Sequence, residues 1–413
     1  MERDWDLISS YAGLLSLATF SIYAGSFSSL KAPRKQKDQK QGIVDEDSDD
    51  EDEIPELLSS SDAYWFPVLG SVTLFGLYLV VKFLGKEWIN YLLGWYFTVV
   101  GVGSVWKSSI SLSKFLIGSE QWKTFSKYKF LMLKGPLELV SLSFRTPSLI
   151  LFPLAIIPSA IYTITAGERK SAILTDILAL SFSHSALSVL KIDSFQTGSI
   201  LLAGLFFYDI WWVFGTEVMV KVATSLDVPI KILWPKSLAF TTERGFTMLG
   251  LGDIVIPGLF ITLALRYDLH RSAHKQPSRS FAKPYFTAAI SAYVAGLATT
   301  MGVMHFFKAA QPALLYLSPA CILSFVITSL VRGEFKSAWE WKDEIDAPSE
   351  KPIDINSLPD HPITIPDQVQ ENGTKPEQLS VPDGGVVEGE KDGEPLTDGD
   401  QETKAKKKKS KKK

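Results

Sequence analysis

The chain has 413 residues and one cysteine, Cys321. A single thiol excludes an intramolecular disulfide and a cysteine-built zinc site; set in an apolar run, it reads as a small packing residue. Histidine is nearly as scarce, with five in all. No H-E-x-x-H occurs, which excludes a metalloprotease built on that helix. His270 and His274 have the i, i+4 spacing, but they lie in a basic loop and no Glu follows His270. No G-x-S-x stands in an apolar run with a histidine partner. Gly101-Val102-Gly103 lacks the third glycine of a dinucleotide site. Met1 to Asp6 contain Arg3 as their only base, so a cleaved secretory leader, which needs a basic start, is not expected.

Long apolar blocks are what the chain does have. It is 46% hydrophobic, and its charges fall between the blocks or after them. Blocks of about 20 apolar residues suit a bilayer and are not needed by a soluble core. Nine spans are expected, over 7–30, 64–84, 88–105, 148–167, 172–190, 197–217, 245–265, 285–304 and 311–331, the third continuing helically toward Ile117. The fold class is therefore an all-α membrane protein. Lys and Arg concentrate after the first, third and seventh spans, which places those connections in the cytosol, the N-terminus in the lumen and the C-terminus in the cytosol.

The domain plan that follows is a first membrane helix over 1–30, an acidic cytosolic linker over 31–62, a helical core over 63–335 and a disordered cytosolic tail over 336–413. The net charge of −3 hides an acidic run, Asp45 to Glu53, and a basic tail, Lys404 to Lys413. A terminal basic run of this kind is a solvated or membrane-surface tail, and nucleic acid is not an expected partner. Ser48, followed by Asp49, Asp50 and Glu51, has the pattern of an acid-directed kinase site.

Charged groups inside a span are costly and usually functional. Asp209 stands deep in the sixth expected span and Asp253 in the seventh, with no Lys or Arg in either span interior. Counted as helix, each lies eight residues from the same side of the bilayer, about 12 Å deep. Consecutive antiparallel helices are usually neighbours, so the two carboxyls are expected to face each other. Such a pair holds one proton between them, the state in which one carboxylate activates water and its protonated partner polarises a peptide carbonyl. Gly250 and Gly252, flanking Leu251, allow close approach of another backbone, or pack helices as small residues do in membranes. Gln311-Pro312-Ala313-Leu314 opens the ninth span, where a proline suits a helix start.

Tyr208-Asp209, Gly250-Leu251-Gly252-Asp253 and Pro312-Ala313-Leu314, in that order on the sixth, seventh and ninth spans, resemble the GxGD intramembrane aspartyl proteases, the family of presenilin and signal peptide peptidase. The text from Gly204 to Gly215 and Gln311 before the proline are similar to the signal peptide peptidase branch, as are the lumenal N-terminus and the short connection between the two aspartates. The resemblance covers about 7–334.

That resemblance implies a catalytic dyad at Asp209 and Asp253, without a cofactor or a metal. It implies that Tyr208, Gly250, Leu251, Gly252, Gln311, Pro312, Ala313 and Leu314 shape the site. The substrates it implies are transmembrane peptides in type II orientation, including remnant signal peptides. Lys409 and Lys411 fit a K-x-K-x-x retrieval signal to the endoplasmic reticulum. Asn372-Gly373-Thr374 is a glycosylation sequon on the cytosolic side, and is expected to stay unmodified. Small residues of the eighth span, Ala292, Gly296 and Ala298, could serve contacts within the chain or in a homo-oligomer.

Two readings from other classes remain. An adaptor that hands membrane clients to the endoplasmic reticulum degradation machinery would survive loss of either aspartate. An ion-coupled transporter could use intramembrane acids, but no inverted repeat is visible.

Overall fold

The computed structural model describes residues 2–30, 56–118, 121–122, 124–134, 137–165, 171–226, 228–236, 245–273, 281–309 and 311–343. These belong to one compact unit, Met1–Pro348. Lys409, Lys411, Ser48, His274 and the Asn372 sequon lie outside the described residues.

The helices, in chain order, are α1 (Glu2–Ser28), α2 (Ser60–Leu84), α3 (Lys86–Ile117), α4 (Thr146–Ile164), α5 (Ala172–Val189), α6 (Phe195–Phe214), α7 (Val218–Ser225), α8 (Gly252–Ala273), α9 (Pro284–Phe307), α10 (Leu314–Val331) and α11 (Phe335–Glu340). Nine of them, all but α7 and α11, have eighteen residues or more and answer to the nine expected spans. The chain is an all-α multi-pass membrane protein. Seven of the nine are long and apolar enough to cross a bilayer. The exceptions have separate reasons. α3 has the length, but its Trp, Tyr and Gly residues lower its hydropathy. α8 contains Asp253, Arg266 and Asp268, and it can carry the last two because it is enclosed there: residues 257–268 are all buried. A helix shielded by its neighbours need not be apolar enough for lipid.

Among the described residues, three small two-stranded sheets join the helices. β1 (Glu56–Leu58) pairs parallel with β4 (Leu190–Ile192), and β2 (Lys127–Lys134) pairs antiparallel with β3 (Leu137–Arg145). β5 (Lys231–Pro235) pairs antiparallel with β6 (Phe246–Gly250), Leu233 opposite Met248.

Three expected boundaries are corrected. The linker expected over 31–62 gives way to regular structure from Glu56: β1 lies on β4, and Asp62 accepts from the Ser59 backbone N–H at 2.9 Å to cap α2. The tail expected to start at 336 folds back over residues 335–343. Asp343 pairs with the buried Arg266 of α8 at 2.6 Å, its N–H reaches Asp193 O at 2.7 Å, and Lys342 bridges to Ser194 at the start of α6. The seventh expected span, 245–265, begins as strand β6, and its helix starts only at Gly252. Glycines at 245, 250 and 252 weaken a helix there, and Phe246-Thr247-Met248-Leu249 pairs with β5 instead.

The core sits where α6, α8 and α10 pack on one another, with α9 against α8 and α10, and α1 against α5 and α8. At the end where α6 starts and α8 finishes, Phe195 stacks on Phe325 at 4.1 Å and meets Phe260 edge-on at 5.7 Å. Tyr267 stands edge-on to Tyr285 at 5.0 Å, with Trp341 of the returning segment 5.2 Å away. Asp268 accepts from the Phe286 and Tyr285 N–H groups, at 2.9 and 3.4 Å, and so caps α9. The aromatic and capping contacts fix α6, α8, α9 and α10 at one end and leave the aspartates toward the other.

Candidate active site

Asp209 is carried by the last turns of α6, five residues before Phe214, and is buried. Its Oδ2 accepts the Leu314 backbone N–H at 3.0 Å. Leu314 is the first residue of α10, where an N–H has no helical partner. A helix N-terminus carries partial positive charge, so this amide suits a carboxylate. The Pro312-Ala313-Leu314 segment thus does more than start a helix. It turns the chain so that the first free amide of α10 points at Asp209, across 105 residues of sequence.

Asp253 comes from α8 and is partly exposed, with its carboxyl close enough to Asp209 for the two to interact electrostatically. The two acids come within electrostatic reach of each other by a different construction from the equal helical depths expected. Asp209 is near the end of one helix. Asp253 is in the first turn of another, delivered by a strand that rises about 3.3 Å per residue where a helix rises about 1.5 Å.

The glycines resolve toward one of their two readings. A methyl added at Gly252 would meet nothing within 4 Å, and one at Gly250 would meet only Asp253 Oδ2, at 3.5 Å. Neither packs against a helix; together they keep the face beside Asp253 open. Leu251 packs against the core, and its N–H donates to Ile230 O at 2.9 Å. Gly296, by contrast, is a packing glycine within the chain, against Leu317, Tyr316 and Ala320 of α10.

Tyr208 is one residue from Asp209 and so points elsewhere on α6. Its ring lies near Gly70 of α2 and 6.3 Å from Trp212, whose Nε1 donates to Ser71 Oγ at 3.1 Å. It walls a groove of about 570 Å³ between α2 and α6, with Pro67, Val68, Gly204, Phe207 and Trp211. Pro312 is buried, and Gln311 is partly exposed at the entrance to α10.

Two residues near the site are not singled out by sequence. Tyr293 of α9 is fully buried, its hydroxyl has no hydrogen-bond partner among the described residues, and it lies within electrostatic reach of Asp253. Asp176 of α5 accepts the Leu233 N–H of β5 at 2.7 Å. In the sequence Asp176 reads only as dilution of the fifth span. The signal that could have raised it is the one that raised Asp209 and Asp253, an acid inside a span.

Among the described residues, β6 leads into this site with no strand on its outer edge. Leu251 N–H donates to Ile230 O, and Lys236 N–H to Gly245 O. The ladder between them therefore turns the backbone groups of Phe246, Met248 and Gly250 away from β5.

Comparison with known proteins agrees with this architecture. The family model for signal peptide peptidase matches residues 48–344. The chain is 37% identical over 347 residues to the signal peptide peptidases of Homo sapiens and Mus musculus, covering 81% of this chain and 83% of each of those. It is 34% identical over 333 residues to a probable intramembrane protease of Schizosaccharomyces pombe, covering 81% of this chain and 94% of that one. The chain, a multi-pass helical bundle matched along most of its length, belongs to the signal peptide peptidase family of intramembrane proteases.

Proposed function

We propose that the chain is an aspartyl endopeptidase that hydrolyses peptide bonds within transmembrane segments, with Asp209 and Asp253 as its dyad. The observation that carries this reading is that the two carboxyls lie within electrostatic reach of each other, one held by the Leu314 N–H and the other beside the open face at Gly250 and Gly252. Asp209, facing the positive end of α10, acts as the ionised base. It takes a proton from water, whose oxygen bonds to the peptide carbonyl carbon. Asp253, which has no described hydrogen-bond partner, starts protonated and donates to the carbonyl oxygen. When the tetrahedral intermediate collapses, the proton held by Asp209 goes to the leaving nitrogen, and Asp253 recovers its own from the diol. One product gains the water oxygen as a carboxyl group, the other an amine.

A bond inside a helix is not accessible to this attack. Unwinding it in the membrane would leave backbone groups unpaired, at several kcal/mol each. The open edge of β6 supplies replacement partners at Phe246, Met248 and Gly250, so an unwound substrate segment can be held as a strand beside Asp253.

The basic residues after the first, third and seventh spans support a lumenal N-terminus and a cytosolic C-terminus, and with them substrates of type II orientation such as remnant signal peptides. Lys409 and Lys411 support residence in the endoplasmic reticulum.

The test uses full-length protein in detergent and a signal-peptide-like transmembrane substrate. Asp209→Ala and Asp253→Ala are each expected to lose at least about 10²- to 10⁴-fold in cleavage with unchanged folding. Cleavage surviving in either variant would remove that aspartate from the chemistry.

A further inference from the structure

The strands leading to Asp253 are held unequally. Among the described residues the outer edge of β6 is open, but the matching edge of β5 is closed. The Leu233 N–H, which points away from β6, donates to Asp176 Oδ1 at 2.7 Å. Asp176 sits in the second turn of α5, a helix packed against α1, α3, α4 and α8. Beside this bond, Ile232 is fully buried, and Trp234 lies so close to Gly13 of α1 that any side chain at position 13 would overlap its indole. β5 is thus fixed to α1 and α5, and β6 is fixed to β5 along the whole ladder. The ladder ends at Leu251, two residues before Asp253.

A carboxylate on a spanning helix is costly, and its usual explanation is a function. Asp176 has neither Lys nor Arg as an ion-pair partner among the described residues. Its hydrogen bond goes to one edge amide, and a carboxylate holds an amide more strongly than a neutral acceptor does. Closing the β5 edge also leaves β6 as the edge of this sheet at which an extended peptide can be added.

We propose that Asp176 is a positioning residue for the cleavage: by holding the Leu233 N–H it places the β5–β6 hairpin, and so sets where the open edge of β6 and Asp253 stand against the substrate, which fixes the bond that is cut. The inference rests on the dyad reading. A misplacement of about 1 Å at a reacting group can cost on the order of 100-fold in rate, and one strand residue of slippage would move the cut along the substrate.

The experiment compares wild type, Asp176→Asn, Asp176→Ala and Asp253→Ala, all full-length. Product masses and kcat/KM are measured on one transmembrane substrate, and amide hydrogen exchange over 231–235 and 246–251 is measured without substrate. Asn keeps an acceptor oxygen for Leu233. Asp176→Asn is expected to keep the wild-type cleavage position and hairpin protection. Asp176→Ala is expected to lose Leu233 protection, to shift or broaden the cleavage positions, and to lower kcat/KM by about 10- to 100-fold, mostly in kcat. Wild-type exchange and product masses in Asp176→Ala would overturn the proposal, and so would equal changes in Ala and Asn. If Asp176→Ala does not fold, Leu233→Pro removes the donor from the other side and is expected to give the same shift; unchanged product masses there would equally overturn it. Cleavage by Asp253→Ala would overturn the dyad instead, and hydrogen exchange decides on Asp176 in either case.

Discussion

At Gly252 an alanine methyl would touch nothing, and the backbone there is not among the positive-φ glycines. Stability alone therefore favours alanine, by about 0.4–1 kcal/mol through the unfolded chain. Its value must lie in the open face beside Asp253. Gly252→Ala is expected to leave the Tm unchanged or raise it slightly while lowering kcat/KM for a transmembrane substrate; thermal unfolding and cleavage of the same preparation check both halves. A fall in Tm would return Gly252 to an ordinary packing role. Both aspartates and the glycines were legible because a lone acid in an apolar run, or a glycine next to one, violates a local rule. The Leu314 amide on Asp209 was not legible. A backbone N–H carries no mark in the sequence, and its partner is 105 residues away. Tyr293 was hidden for a related reason, since an aromatic in an apolar span conforms to its surroundings.

At the scale of elements, the segment 335–343 ties together the helices that carry Asp209 and Asp253. Arg266 of α8 is buried and pairs with Asp343, while Lys342 bridges to Ser194 at the start of α6. Removing one partner of a buried pair leaves an uncompensated charge. Asp343→Ala is expected to destabilise the protein by about 3–5 kcal/mol, and Arg266→Met with Asp343→Leu to recover most of that loss. Unfolding in detergent monitored by circular dichroism checks it; an unchanged Tm in Asp343→Ala would show that the segment is not a tie. Composition pointed the other way here, because the charged and Pro-rich text beyond Trp341 drew the expected tail back to 336. The turn from strand to helix at Gly252 was missed for a different reason. Apolar periodicity over 245–265 does not separate a buried strand from a buried helix, and the deciding contact, β5, comes from another part of the chain.

For the whole molecule, the nine long helices among the described residues were legible because a bilayer demands long apolar runs, and α8, one of the two that fall short of that standard, is the one enclosed by the others. Direction across the membrane is a separate property, set by loop charge and not by the packing of helices. The odd-numbered connections carry the basic clusters, so a sequon added ahead of Met1 is expected to be glycosylated in microsomes while Asn372 is not. This outcome also bears on chemistry. The open edge of β6 and the carboxyl of Asp253 lie at the end of the bundle opposite Arg266 and Trp341, so fixing one terminus fixes the side from which Asp253 is reached. With the N-terminus lumenal, a helical substrate must be unwound toward the lumenal half to lie beside β6, and the same peptide presented in the two membrane orientations is expected to be cut in only one of them. Glycosylation at Asn372 with the added N-terminal sequon unmodified would reverse the assignment, and with it the orientation of the substrates expected.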